Sequence, residues 1–255
     1  AVPIVFSLWI YNIYDIKGET KEVIVLQPNV DPYTEKYDTP NFLITKGLLA
    51  QADSLVTSNT EYVIAPETVL AESAPFDVFY YSPARALMTN YIEKHPKVQL
   101  LWGIDTYHFV LDPKEVTPSS NVYRQGMWVD FYNAALFINK NRDFQKYYKS
   151  KLVVGIENLP YKSILEPLLG NVMLDLGGTI STKTTQKERT PFIANDSTKV
   201  APIICYESVY GEYVAGFVKN QAQFLAIITN DAWWNETQGH KQHLSFASLR
   251  AIETR

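Results

Sequence analysis

The sequence predicts an α/β domain built in layers, and three observations carry that prediction. Short runs rich in Val, Ile and Leu alternate with segments of helical spacing along most of the chain. With 255 residues and 46% hydrophobic content, the chain can bury one full core. No internal repeat divides the alternation into separate units.

The first element, Ala1 to Tyr14, reads AVPIVFSLWIYNIY, with Trp and Tyr shortly before Asp15 and Lys17. It fits the last turns of a membrane helix leaving the bilayer, and equally a buried first element of the domain. It is shorter than the about 20 apolar residues that a span requires, and it lacks the basic start and cleavage site of a signal peptide. Residues 1–18 are set apart as the end of a membrane helix or a linker, and 19–255 as the domain proper.

Glu22 to Asn29 reads as a buried strand delivering a loop. Thr39 as N-cap and Pro40 then open a helix to about Thr57, with Ile44, Leu48, Ala52 and Leu55 on one face. Tyr62 to Ala65 is a second strand, ended by Pro66 and followed at once by Glu67. Ser82 and Pro83 open another helix. Gln99 to Ile104 and Tyr132 to Asn139 are strand-like, and His108 to Met127, rich in Pro, Ser and Asn, reads as loop. Phe144 to Val154 is extended, Lys199 to Cys205 a strand, Val209 to Lys219 an amphipathic helix, Phe224 to Thr229 a strand and His240 to Arg255 a helix. The long irregular tract from Glu157 to Thr198 implies a lid or binding loop.

Composition removes several function classes. A formal charge of −4 supplies no field for phosphate backbones, so no nucleic-acid partner is expected. One cysteine, Cys205, excludes an intrachain disulfide and a multi-cysteine metal site. The four histidines, His95, His108, His240 and His243, fit surface or capping places better than a zinc site.

Cys205 stands in APIICYES, where a strand gives way to a helix start, a place from which a nucleophile projects beside backbone N–H groups. A thiol needs a nearby cation and a carboxylate to work as a nucleophile. Glu67 in YVIAPE ends an apolar strand, where burial would raise its pKa and suit it to general-base work. Lys149 lies in KYYKSKLV. Taken singly, each also fits a plain role: a buried inert thiol, a solvated strand end, a basic strand edge.

In chain order, APET at 65–68, YKSKLV at 148–153 and ICYES at 204–208 resemble the Glu, Lys and Cys blocks of the nitrilase superfamily. More narrowly, QPNV at 27–30, YNAALFI at 132–138, TNDAWW at 229–234 and QHLSFASLRAIETR at 242–255 resemble the periplasmic domain of the apolipoprotein N-acyltransferases. The resemblance implies a four-layer α-β-β-α sandwich in which Glu67 is general base, Lys149 stabilises the oxyanion and Cys205 is the nucleophile. It implies Glu157 as a positioning acid, Tyr206 as a backbone donor to the oxyanion with Glu207 beside it, and Tyr37 and Trp233 as aromatic residues near the substrate. The family's Leu-Val-Pro-x-Gly-Glu stretch here reads Leu152-Val153-Val154-Gly155-Ile156-Glu157, so the loop carrying Glu157 is expected to be built differently.

The implied reaction takes a fatty acyl chain from a phospholipid as a Cys205 thioester and passes it to the α-amine of a lipidated N-terminal cysteine on a lipoprotein. The implied place is the periplasmic side of a bacterial inner membrane, and no metal or organic cofactor is required. An apolar lid would keep water from the thioester, and Leu159 to Leu176 is apolar enough to form it. The relatives continue beyond the position of Arg255, so a C-terminally incomplete domain is expected. A second enzyme reading keeps the same fold and residues for hydrolysis of a small amide, and a reading of a different class makes the chain a catalytically silent membrane-tethered binding domain.

Overall fold

The computed structural model describes residues 2–15, 18–31, 35–158 and 182–254. The chain opens with α1 (Val2–Ile13), which buries none of its residues; Val2 is 80% exposed and Ile4 66%. The reading of this segment as a buried first element therefore fails. No helix among the described residues is long and apolar enough to cross a membrane.

β1 (Glu22–Val25) leads to α2 (Asn41–Asp53), whose N-cap is Pro40 rather than Thr39. β2 (Thr60–Ile64), β3 (Leu70–Pro75) and the short α3 (Phe76–Tyr80) follow. In α4 (Pro83–Lys94) the Ser82 side chain accepts from Arg85 N, the cap expected of Ser before Pro at a helix start. β4 (Gln99–Val110) and β6 (Met127–Asn139) form a long antiparallel pair, with β5 (Asn121–Arg124) on the far edge of β6 and β7 (Arg142–Tyr148) also paired to β6. The expected loop from His108 to Met127 is thus mostly wrong at its ends. His108 faces Asp130 and Val110 faces Trp128 in the ladder, and cross-strand pairing outweighs the local turn composition. Within that segment, the Pro- and Ser-bearing stretch between β4 and β5 and the Gln125–Gly126 turn lie outside the sheet.

β1, β2 and β4 run parallel and β4, β6 and β7 alternate in direction, which completes the first sheet with β3 on β4. The second sheet contains β8 (Phe192–Ile193), β9 (Lys199–Ile204) and, after α5 (Gly211–Lys219), β10 (Phe224–Ile228), with β9 and β10 parallel. The described chain ends in α6 (Gly239–Thr254).

Period-two alternation sorts the first sheet onto two cores. Val63, Leu100, Trp102, Ala134, Leu136 and Ile138 pack with Leu48, Met88 and Ile92 of α2 and α4. Their neighbours Tyr62, Ile64, Leu101, Ala135 and Phe137 pack instead with Val200, Ile203 and Ile204 of β9 and with Val214 and Phe217 of α5. The order of layers is helix, sheet, sheet, helix. Strands β2, β9 and β10 deliver their C-terminal ends to one edge of this stack, where parallel sheets place their ligands.

Candidate active site

Glu67 follows β2 and is 6% exposed. Its Oε1 accepts from Lys149 Nζ at 2.9 Å and from Asn133 Nδ2 at 2.8 Å, and its Oε2 accepts from the Asn230 backbone at 3.3 Å. The approach of its loop to the sheet depends on Gly103 of β4. A Cβ there would lie 2.3 Å from Thr68 N and 2.5 Å from Pro66 O. With no side chain, the Gly103 N–H donates to Pro66 O at 3.1 Å.

Lys149 directly follows β7 and is 1% exposed. Its Nζ sits between two carboxylates, 2.9 Å from Glu67 and 2.8 Å from Glu157. Asn133 bridges the same two acids, donating also to Glu157 Oε1 at 2.8 Å. The altered loop still delivers Glu157: Gly155 adopts φ 90°, and Glu157 Oε2 accepts from Val153 N at 3.0 Å. A glycine moved by one place supplies the left-handed turn that brings the acid back.

Burial alone would raise the Glu67 carboxyl, as its sequence context suggests. The Lys149 charge and hydrogen bond, with Lys36 and Asn133, outweigh burial and hold it well below the usual carboxylate range. The expected raised pKa is thus reversed. Burial pulls Lys149 down in the same way, but Glu67 and Glu157 carry it above its ordinary value. Lys149 therefore rests as an ammonium beside the Glu67 carboxylate.

Cys205 directly follows β9 at φ 50°, a left-handed conformation uncommon for a residue with a Cβ and frequent at functional turns. The residue keeps partial exposure, while desolvation around the sulfur pushes its thiol upward, helped by Glu67 and opposed by Lys149 and the Thr229 hydroxyl. Acid, amine and sulfur thus converge on one edge of the stack. Among the described residues no group of three or more His, Cys, Asp or Glu side chains is placed to hold a metal ion.

A model of carbon-nitrogen hydrolases matches residues 117–255, more than half of the chain. The chain belongs to the carbon-nitrogen hydrolase family. Among curated relatives, it is 28% identical over 270 residues to an apolipoprotein N-acyltransferase of Chlorobaculum tepidum, covering 100% of this chain and 48% of that protein. It is 35% identical over 200 residues to the apolipoprotein N-acyltransferase of Azotobacter vinelandii, covering 76% of this chain and 36% of the relative. The chain thus spans less than half the length of either. Its fold is similar to Nit3 of Saccharomyces cerevisiae, a member of branch 10 of the nitrilase superfamily, with TM-score 0.55, 14% identity, 94% of this chain covered and 74% of that one.

Around the three central residues of this carbon-nitrogen hydrolase domain, Glu207 forms a buried staple. Its Oε2 accepts from Ile204 N at 2.8 Å, and its Oε1 accepts from Ser150 N at 2.6 Å and Tyr147 OH at 2.7 Å. It thereby ties the residue before Cys205 to the residue after Lys149. Burial pushes its carboxyl up against the pull of those donors. Tyr206 follows Cys205 in a short 3-10 turn, its ring edge-on to Tyr210 at 5.2 Å. Tyr37 and Trp233 are 56% and 38% exposed, and the Lys36 ammonium lies 5.7 Å from each ring centroid.

Lys36, Asn133, Gly103 and His243 are the site residues that sequence reasoning missed. Lys36 is 5% exposed and donates to Thr68 Oγ1 at 2.5 Å. His243, read as a surface or capping residue, reaches the Cys205 carbonyl at 3.1 Å. The available signal was adjacency: Lys36 precedes Tyr37, Asn133 stands in YNAALFI, and His243 stands in QHLSF. The segment from Leu159 to Leu176, expected to form a lid, lies outside the described residues.

Proposed function

We propose that this chain is the catalytic part of an N-acyltransferase that moves a fatty acyl chain from a phospholipid, through a thioester on Cys205, to the α-amine of a diacylglyceryl-cysteine lipoprotein at the periplasmic face of a bacterial inner membrane. The observation that carries the reading is the Glu67–Lys149–Glu157 network beside a cysteine held at a left-handed turn, in a chain whose similarity to apolipoprotein N-acyltransferases extends along its length.

The resting ionisation states suit two-step acyl transfer. The sulfur begins as a thiol, so it needs a base, and the ionised Glu67 carboxylate can accept its proton. Sulfur attacks the ester carbonyl carbon; the oxyanion that forms is stabilised by the Lys149 ammonium and the Tyr206 backbone N–H. Collapse breaks the carbon–oxygen bond, and Glu67 returns the proton to the departing lysophospholipid hydroxyl. In the second step the amine attacks the thioester and Glu67 takes a proton from its nitrogen. The carbon–sulfur bond then breaks and the proton passes to sulfur, leaving an amide and the starting thiol. Glu157 and Glu207 orient Lys149 and the Cys205 turn, and Tyr37 and Trp233 line the approach. Amine attack competes with water, and the apolar tract from Leu159 to Leu176 is assigned the role of excluding it.

Mass spectrometry after exposure to phospholipid vesicles tests this directly. Wild type is expected to gain an acyl adduct on Cys205 that a diacylglyceryl-cysteine peptide then removes as its amide, and Cys205→Ala is expected to gain none. Hydrolysis of small amides with no adduct from phospholipid would refute the acyl-transfer reading.

A further inference from the structure

Behind Cys205 the described residues hold a second polar cluster. His243 Nδ1 lies 2.8 Å from Asp231 Oδ1, and its Nε2 lies 3.1 Å from the Cys205 carbonyl oxygen and 3.0 Å from Ser208 Oγ. Ser208 Oγ donates to the same carbonyl at 2.8 Å. Thr229 Oγ1 donates to Asp231 Oδ1 at 2.9 Å, and its hydroxyl also interacts with the Cys205 thiol. The contacts close a ring from the thiol through Thr229, Asp231 and His243 back to the carbonyl of the same cysteine.

An imidazolium at His243 supplies a donor to each acceptor of this ring. A carboxylate and a carbonyl oxygen only accept, so both imidazole nitrogens must carry hydrogen for both contacts to be hydrogen bonds. A neutral imidazole would set a lone pair against one or the other. The charged groups facing it agree: the Asp231 hydrogen bond raises the His243 pKa, burial opposes, and the Cys205 carbonyl and the Glu67 charge add to the rise. Thr229 has one proton to give. While it donates to Asp231 it can only accept from the thiol; to donate to a thiolate it must leave Asp231.

We propose that Asp231 and His243 are positioning residues for the nucleophile: the imidazolium clamps the Cys205 carbonyl at its left-handed turn and, by neutralising Asp231, frees the Thr229 hydroxyl to donate to the thiolate. This rests on the nucleophile role given to Cys205 above. No atom is exchanged around the ring. The thiol proton leaves for Glu67, Thr229 turns its own proton toward sulfur without losing it, and Asp231 keeps His243 as its donor.

The test is the rate of Cys205 alkylation by iodoacetamide, followed by mass spectrometry on the full chain from roughly pH 6 to 10, which spans the ordinary imidazole and thiol ranges. In wild type the logarithm of the rate rises with pH, flattens while His243 loses its proton, then rises again. His243→Gln, which leaves Asp231 charged and holding Thr229, slows alkylation about tenfold near neutrality and abolishes the flattening, whereas Asp231→Asn abolishes the flattening without that slowing, as expected if a charged partner tunes the thiolate. Thr229→Val shows the same slowing, and Thr229→Ser, which keeps the hydroxyl, restores most of it. A reactive wild type whose profile all four variants reproduce would overturn the inference while leaving the nucleophile in place. A wild type inert throughout removes the nucleophile assignment and this inference together. If His243→Gln does not fold by circular dichroism, the Thr229 pair decides: coincident Val and Ser profiles overturn the proposal.

Discussion

The two walls of the site are built on opposite principles. On the first sheet, Glu67, Lys149, Glu157 and Asn133 form a charged network in which each buried group answers another at 2.8 to 2.9 Å. On the second sheet, no carboxylate or ammonium among the described residues is hydrogen-bonded to Cys205; a left-handed backbone, the Ser208 and His243 contacts at its carbonyl and the Glu207 staple set its place. One wall stores charge and the other stores conformation. The difference suits the chemistry proposed, because proton acceptance and oxyanion stabilisation need fixed charge, whereas a nucleophile needs a fixed direction of attack.

The charge-storing wall is the easier to break. Lys149→Met leaves two buried carboxylates bridged only by Asn133, and removing one partner from a buried network costs about 3–5 kcal/mol because the remaining charge is uncompensated. Urea denaturation followed by tryptophan fluorescence is expected to show that loss, together with absence of the acyl adduct. A loss under about 1 kcal/mol would mean that the lysine is not what permits two acids to share this space.

Next in size is Gly103→Ala, which attacks the approach of the Glu67 loop to its sheet. The added carbon meets backbone, not a flexible side chain, at 2.3 and 2.5 Å. Either the loop or the strand must move, and overpacking of this kind costs about 1–3 kcal/mol. Activity is expected to fall further than stability, since a displaced Glu67 no longer meets Lys149 at hydrogen-bond distance. Equal behaviour of variant and wild type in both assays would show that the loop has slack.

This glycine also marks what could be read from the chain alone. Strand ends carrying Glu67 and Cys205, the Ser82–Pro83 helix start and the alternating layers were legible, because each is a local pattern of residue types. Asn133 and Gly103 were not, because each acts through a neighbour far along the chain: Asn133 bridges acids 66 and 24 residues away. The ionisation of Glu67 escapes a local pattern for the same reason. Its burial is visible in the sequence, but the lysine that overrules burial is 82 residues distant. The segment from His108 departs from its local loop composition because long-range pairing to β6 decides its state.

A pH titration of stability contrasts the walls with smaller effects. Glu67 has a folded pKa lowered from 4.5 to about 2, so its contribution is complete above 4.5 and is lost as pH falls toward 2. His243 has a folded pKa raised above 6.5, so its contribution is complete below 6.5 and is lost as pH rises through the folded value. The Tm difference between wild type and Glu67→Gln is expected to shrink in acid, and that between wild type and His243→Gln to shrink in mild base. Two differences that shrink on the same side of neutrality would dissolve the contrast between the walls.

Lys36 supplies the smallest expected change and the sharpest comparison with Lys149. Both ammonium groups are buried, at 5% and 1% exposure, but Lys149 lies between two carboxylates while Lys36 donates to the Thr68 hydroxyl and lies near aromatic rings. Burial accordingly dominates Lys36 and lowers its pKa, where Lys149 is raised. A buried cation whose desolvation is weakly compensated contributes little net stability, and an apolar replacement of similar length is often neutral. Lys36→Met is therefore expected to change unfolding free energy by less than about 1 kcal/mol in either direction. Its trace should appear at Glu67, whose carboxylate Lys36 helps to keep ionised, as an upward move of the acid limb in the pH profile of Cys205 acylation. A stability loss as large as that of Lys149→Met would place Lys36 inside the charge-storing network rather than beside it.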